Sequence, residues 1–417
     1  MLAVVGLVCY EIKVQTKFYA SLLIKLLGQL ATAKLKKWRQ GMERREFLKK
    51  VLLTSGLLGI GVTTASSPKA DQGKEVTSGN EYRIDSYCHF SVMGVIEFLE
   101  KSSNIYPHMF RSLFANTPTL INVDKRLALM DACGVDLSIL IPLPWLETTP
   151  SVYANPKQCA EAARLFNDEL AVIVNKRPDR FLGVALLPTT DPEVMLAEFE
   201  RAVRTLKLVG GFFVVGPSVK PPDHPHYEHL YKKAVELDVP LWMHPSRPPE
   251  YPDYVGEKIS QYQIWQALSW LLDSSSAMVR LVFSGVYERY PDLKLIIHHH
   301  GALIPLFAKR MQYGWDYFEQ NTGKKQPTSI SRPYIDHFKK FYCDTATQGY
   351  EPLLLKMVYN FFGPDHILFG SDGPMDASGG RAFTMDAKMS VEDMGLSKRD
   401  RQKIFSRNIL RLLKRSA

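Results

Sequence analysis

The residues in this sequence best suited to chemistry are five histidines and two aspartates that fall in or just after short apolar runs: His89, His244, His298, His299, His300, Asp344 and Asp372. Neutral imidazoles and a carboxylate are lone-pair donors, and several held rigidly in one cleft suit a divalent metal ion. A lone buried carboxylate would otherwise be costly. Tyr87 stands two residues before His89 and so faces the same side of an extended strand. Each residue alone also reads as a satisfied buried histidine or a strand cap, and Asp344 as a carboxylate bonding strand-end backbone. The case for chemistry is their coincidence at the same end of several elements.

Those elements are eight β-rich apolar runs, at 82–90, 136–144, 181–188, 208–216, 239–245, 293–300, 341–346 and 367–374. Stretches with apolar residues at helical spacing, such as 157–176, 192–207, 226–237 and 277–290, separate most of them. Continuous apolar strands alternating with helices predict a parallel sheet, and eight units predict an α/β fold closed as a single (β/α)8 TIM barrel over residues 81–417. A doubly wound open sheet is the rival. It is weakened because Cys88-His89-Phe90 stands where a Gly-rich phosphate loop would follow the first strand. In a barrel the C-terminal strand ends converge on one mouth. The third and fourth runs end in Pro188 and Val215-Gly216-Pro217 and offer no ligand.

The 417-residue chain has 52 Lys+Arg against 43 Asp+Glu, a net charge of +9. Residues 1–70 hold 12 of the cations and 3 of the anions, leaving 40 of each sign for a neutral body. That argues against nucleic acid as a partner. The 46% apolar content argues against global disorder. Arg44-Arg45-Glu46-Phe47-Leu48-Lys49-Lys50, then an uncharged run to Pro68 with small residues at Thr63-Thr64-Ala65, looks like a twin-arginine signal peptide over 42–65. The run is too short and too weakly apolar for a comfortable membrane span. The expectation is export by the twin-arginine machinery to a periplasmic or other extracytoplasmic site, with 66–80 as linker. Met42 is the candidate start, which would leave the extension 1–41 untranslated; a basic amphipathic extension with leucines at 22, 23, 26, 27 and 30 is the alternative. Cys88, Cys133, Cys159 and Cys343 show no metal or redox spacing and are expected as buried thiols.

From about Ile84 to Leu413 the sequence resembles the amidohydrolase-related superfamily, in the branch of aminocarboxymuconate-semialdehyde and resorcylate-type decarboxylases. The likeness is carried by KRLALMDACGVD at 125–136, RPDRFLGVALLP at 177–188, VPLWMHP at 239–245 and LVFSGVYERYPDLKLIIHHHGALIP at 281–305. ILFGSDGP at 367–374 and KIFSRNILRLL at 403–413 complete it. The resemblance implies His89, His244 and Asp372 as metal ligands. Counting back from Pro305, the family's His-x-Gly-x-x-x-Pro pattern falls on His299, which it implies sits beside the metal and orients substrate or water. His298 and His300 are then expected to point away from the mouth by strand alternation. One metal is implied, since the ligand that two-metal relatives draw from the fourth strand has no counterpart in Phe212–Val215. Zinc is the first expectation and manganese the second.

The first strand departs from the family's His-x-His or Glu pattern, offering Tyr87. Tyr87 is taken as a catalytic participant, coordinating as phenolate or hydrogen-bonding the metal's water or the substrate; a site that binds metal poorly is the other outcome. The implied function is a non-oxidative decarboxylase of a small cyclic or unsaturated carboxylic acid, with Asp372 donating the proton, His299 positioning substrate and Arg247 neutralising a further carboxylate. Arg247 as a solvated loop charge is the plainer reading. Hydrolysis of a lactone, amide or ester shares every residue, and a degenerate exported binding protein is the third reading. Aromatics at Trp145, Tyr251, Tyr254 and Trp265 tilt the choice towards decarboxylation. The resemblance also implies a possible homodimer.

Overall fold

The apolar runs become strands because a barrel stave is buried on both faces. The computed structural model describes residues 81–103, 107–323, 330–331 and 333–415; the expected extension 1–41, signal 42–65 and linker 66–80 lie outside the described residues. The strands are β1 (Ile84–His89), β2 (Leu137–Ile141), β3 (Phe181–Gly183), β4 (Ala185–Leu186), β5 (Gly211–Val215), β6 (Leu241–Pro245), β7 (Leu295–Ile297) and β8 (Tyr342–Cys343). Every residue of β1, β2, β5 and β6 is buried, which is why no polar alternation marks them. All pairings are parallel, in the orders β1-β2-β3 and β4-β5-β6-β7-β8.

Two irregularities join these sheets into one barrel. β3 and β4 form a single stave broken at Val184, whose N–H reaches back to the Leu140 carbonyl at 3.0 Å while Ala185 donates forward to Gly210 at 2.9 Å. The run 367–374 forms no regular strand, yet its backbone closes the ring. Leu368 donates to the Cys343 carbonyl and Ser86 to the Phe369 carbonyl, both at 2.8 Å, and Asp372 donates to the Tyr87 carbonyl at 3.0 Å. The fold is therefore the closed α/β barrel that the pattern predicts.

The helices start where their caps direct. Asn155 accepts from the N–H groups of Lys157 and Gln158 at the head of Pro156–Lys176, and Asp191 does the same for Pro192–Arg204. Gly134, at φ 70°, ends Val123–Cys133 and turns the chain into β2. Cys88, Cys133, Cys159 and Cys343 are buried free thiols. None of the described helices is long and apolar enough to cross a membrane.

Candidate metal centre and active site

β1 ends on His89, whose Nδ1 lies 3.1 Å from the Pro142 carbonyl. The buried Arg126 guanidinium holds the His89 carbonyl at 2.5 Å, fixing the strand end. β6 carries His244, with Nδ1 2.5 Å from the Pro245 carbonyl. Carbonyls only accept, so both imidazoles carry their proton on Nδ1 and leave the Nε2 lone pair free. Burial, then the neighbouring His89, His298 and His299, hold His244 well below the usual histidine range, as an uncharged donor.

Asp372 sits in a left-handed turn at φ 60°. Asp85 pins that turn, accepting from the Ser371 N–H at 3.0 Å and from its hydroxyl at 2.6 Å. The two oxygens of Asp372 face different neighbours. Oδ1 lies 3.3 Å from His89 Nε2 and 3.0 Å from His298 Nε2. Oδ2 accepts from the Gln348 amide at 2.6 Å and lies 3.6 Å from His299 Nε2, beyond hydrogen-bond reach. Burial by itself would raise this carboxyl, but the His298 charge and the surrounding imidazoles outweigh it and hold Asp372 well below the usual range.

The histidine triplet corrects the expectation from strand alternation. β7 stops at Ile297, and His299, His300, Gly301 and Ala302 take positive φ of 57°, 50°, 77° and 55°. Alternation needs extended backbone, so His298 is not turned away from the mouth. It bridges Asp344 Oδ2 at 2.5 Å and Asp372 Oδ1 at 3.0 Å. Burial disfavours its charge, but the two carboxylates win and raise it to about 9. His299 is buried with neither ring nitrogen finding a hydrogen-bond partner among the described residues, and burial followed by the His298 charge lowers it. His300 stands apart: its backbone N–H donates to Asp344 Oδ1 at 3.1 Å, and its ring belongs to neither group of converging ligand atoms.

Two further expectations change. Tyr87 does face the mouth, but its hydroxyl donates across the barrel to the Met243 carbonyl at 3.0 Å, and burial pushes the phenol well above its usual range. The hydroxyl is thus a protonated donor engaged elsewhere, and what Tyr87 presents to the site is its ring, stacked on His298 at 3.8 Å. Arg247 is neither a solvated charge nor an open anchor. Its Nε and Nη2 grip Asp273 at 2.9 and 2.7 Å, a bidentate pair that occupies this edge of the guanidinium. Of the expected aromatics, Trp145 packs on Phe114, and Tyr254 is largely exposed. Besides Tyr87 and Phe212, the histidines meet the indole of Trp270, 5.4 Å from His244 and 6.2 Å from His299, with Trp265 behind it. Gln348 was likewise not anticipated.

Among the described residues two overlapping sets of atoms could hold an ion: those of His89, His244 and His298, and those of His298, His299 and Asp372, each set lying within 4.8 Å. The uncharged His244, an ionised Asp372 and a buried His299 without a hydrogen-bond partner among the described residues fit a divalent cation, whose binding through His298 would release the proton that imidazole holds. A groove of about 740 Å³ bordered by Asp223, Phe283 and Trp315 holds none of these residues and is not the chemical centre.

An amidohydrolase family model (Amidohydro_2) matches residues 124–415. Gamma-resorcylate decarboxylase of Rhizobium radiobacter is 31% identical over 310 residues, covering 70% of this chain and 86% of its own. The 2-amino-3-carboxymuconate-6-semialdehyde decarboxylase of Dictyostelium discoideum is 27% identical over 258 residues, covering 60% and 66%. Among solved structures, a dihydroxybenzoic acid decarboxylase from a Polaromonas species, with bound manganese and the inhibitor 2-nitroresorcinol, superposes with a TM-score of 0.63 at 27% identity over 80% of this chain and 97% of its own. A parallel barrel with convergent imidazoles at its mouth, matched by such relatives, has one reading: the chain belongs to the amidohydrolase family, as an enzyme of its metal-dependent decarboxylase type.

Proposed function

We propose that the chain removes CO2 without oxidation from a small aromatic acid bearing a hydroxyl next to its carboxylate, with manganese ahead of zinc as the ion. Support for the substrate class and the ion comes from the relatives that act on resorcylate and dihydroxybenzoate, one of them with bound manganese. The observation that carries the mechanism is the division of labour within Asp372: Oδ1 faces His89 and His298, while Oδ2 faces Gln348 and His299.

His89, His244 and Asp372 Oδ1 would hold the ion. Once bound, it would withdraw charge from the substrate carboxylate and the neighbouring oxygen and fix their orientation. Asp372 is ionised before substrate arrives, so its Oδ2, steadied by Gln348 and adjoining His299, would first take the proton of the substrate's hydroxyl and then pass it to the ring carbon. As that C–H bond forms, the bond from the same carbon to the carboxylate breaks, its electron pair stays with the ring and CO2 leaves. Trp270, beside His244 and His299, supplies a flat wall for an aromatic ring. Export by the twin-arginine route belongs to the same proposal and rests on residues 42–65.

Manganese-loaded protein incubated with a panel of 2-hydroxybenzoates and lactones tests this reading, with CO2 measured separately from acid released by ring opening. CO2 from at least one hydroxybenzoate, lost on chelation and in Asp372→Asn, is expected. Ring-opened acid without CO2 would mean hydrolysis, and inertness together with no bound metal would mean a binding protein.

A further inference from the structure

His298 has no assigned role in the reaction, yet its ring is fully buried at the heart of the cluster. One face lies flat on Tyr87, with centroids 3.8 Å apart and planes 4° from parallel. Its Nδ1 meets Asp344 Oδ2 at 2.5 Å. Asp344 is itself fixed, because Oδ1 accepts from the backbone N–H groups of His300 and Ala346 at 3.1 and 3.0 Å. A carboxylate bonded to one imidazole nitrogen, aiming the other at a shared centre, is the usual support of a metal-bound histidine.

The spacing agrees. Two ligands about 2.1 Å from one ion, at angles between octahedral and tetrahedral, lie about 3.0 to 3.4 Å apart. Asp372 Oδ1 is 3.0 Å from His298 Nε2 and 3.3 Å from His89 Nε2. The ligand atoms of His89, His244 and His298 also lie within 4.8 Å of one another. Tyr87 leaves a place open here, since its hydroxyl is turned to Met243.

We infer that His298 is a further ligand of the metal, presented from the end of β7 and oriented by Asp344, so that three imidazoles and one carboxylate hold the ion. The inference rests on the metal-dependent reading of the site. Its competitor is a purely structural role, an imidazolium bridging Asp344 and Asp372.

Titration of metal-free full-length protein with manganese, free ion being read by its EPR signal, separates the two, with pulsed EPR counting the coupled imidazole nitrogens. Wild type is expected to show three coupled imidazoles, and His298→Gln two, with affinity lowered by about 100-fold or more. Asp344→Asn is expected to keep three while binding about 10- to 100-fold more weakly. Two coupled imidazoles in wild type, or unchanged affinity and couplings in His298→Gln, would overturn the assignment. The wild-type count stands even where a variant fails to fold. Wild type that binds no manganese at all contradicts the metal-dependent reading as well, whereas tight binding through two imidazoles refutes the role of His298 alone.

Discussion

Glu147, in the loop after β2, is 4% exposed, and its Oε2 has no hydrogen-bond partner among the described residues. Burial raises its carboxyl from 4.5 to about 7, with its own backbone N–H and Thr189 pulling weakly the other way. The sign follows from proton linkage. Between these two values the unfolded chain has released the proton while the folded chain keeps it, so stability is greatest below 4.5 and is lost as pH rises through about 7. Integrated from pH 5 to pH 8, the loss is about 2.5 kcal/mol. Glu147→Gln removes the titration. Denaturant unfolding of both proteins at pH 5, 6, 7 and 8 should show wild type losing stability relative to the variant by about that amount, mostly below pH 7. A difference independent of pH would refute the reasoning and mean that the carboxylate finds a partner when ionised.

Three other variants probe the site. Arg247→Met strips a partner from Asp273, whose side chain is only 9% exposed, and should destabilise by about 2–4 kcal/mol in denaturant unfolding while leaving KM for the substrate nearly unchanged; a raised KM with intact stability would restore Arg247 as a substrate anchor. Gly301→Ala places a Cβ 2.6 Å from the Phe362 ring at a φ of 77°, so a loss of about 2 kcal/mol and a lower melting temperature are expected. An unchanged melt would show that this turn relaxes freely. His299→Gln should lower kcat by about 10²- to 10⁴-fold with bound manganese retained; loss of the metal would make His299 a ligand instead.

The barrel was legible because its strands are buried on both faces and therefore stand out as unbroken apolar runs. His89 and His244 were legible for a related reason: each stands at the C-terminal end of a fully buried strand, His89 still paired with Ile141 after the register shift between Asp85 and Cys88, and His244 paired with Val214. His298 was not, since the chain leaves extended geometry one residue earlier and positive φ follows at His299 and His300. Spacing can count back to His299 from Pro305, but it cannot see a backbone that curls and brings its neighbour inward. Tyr87 shows a different limit. Its face was read correctly, while the destination of its hydroxyl depends on Met243 across the barrel. Arg247 and Asp273 are 26 residues apart on a loop and the following helix, and no local pattern joins them. Trp270 and Gln348 carry no motif at all. Their place beside the histidines and Asp372 is a product of packing.

The central claim is that a carbon–carbon bond to a carboxylate is broken and a proton takes its place. Turnover of a responsive hydroxybenzoate by the manganese-loaded protein in D2O, followed by mass spectrometry and NMR of the product, tests it most directly. One equivalent of CO2 and a single deuterium on the carbon that carried the carboxylate are expected, with neither seen in Asp372→Asn. A product that retains its carboxylate and gains the elements of water, with no deuterium on carbon, would contradict it.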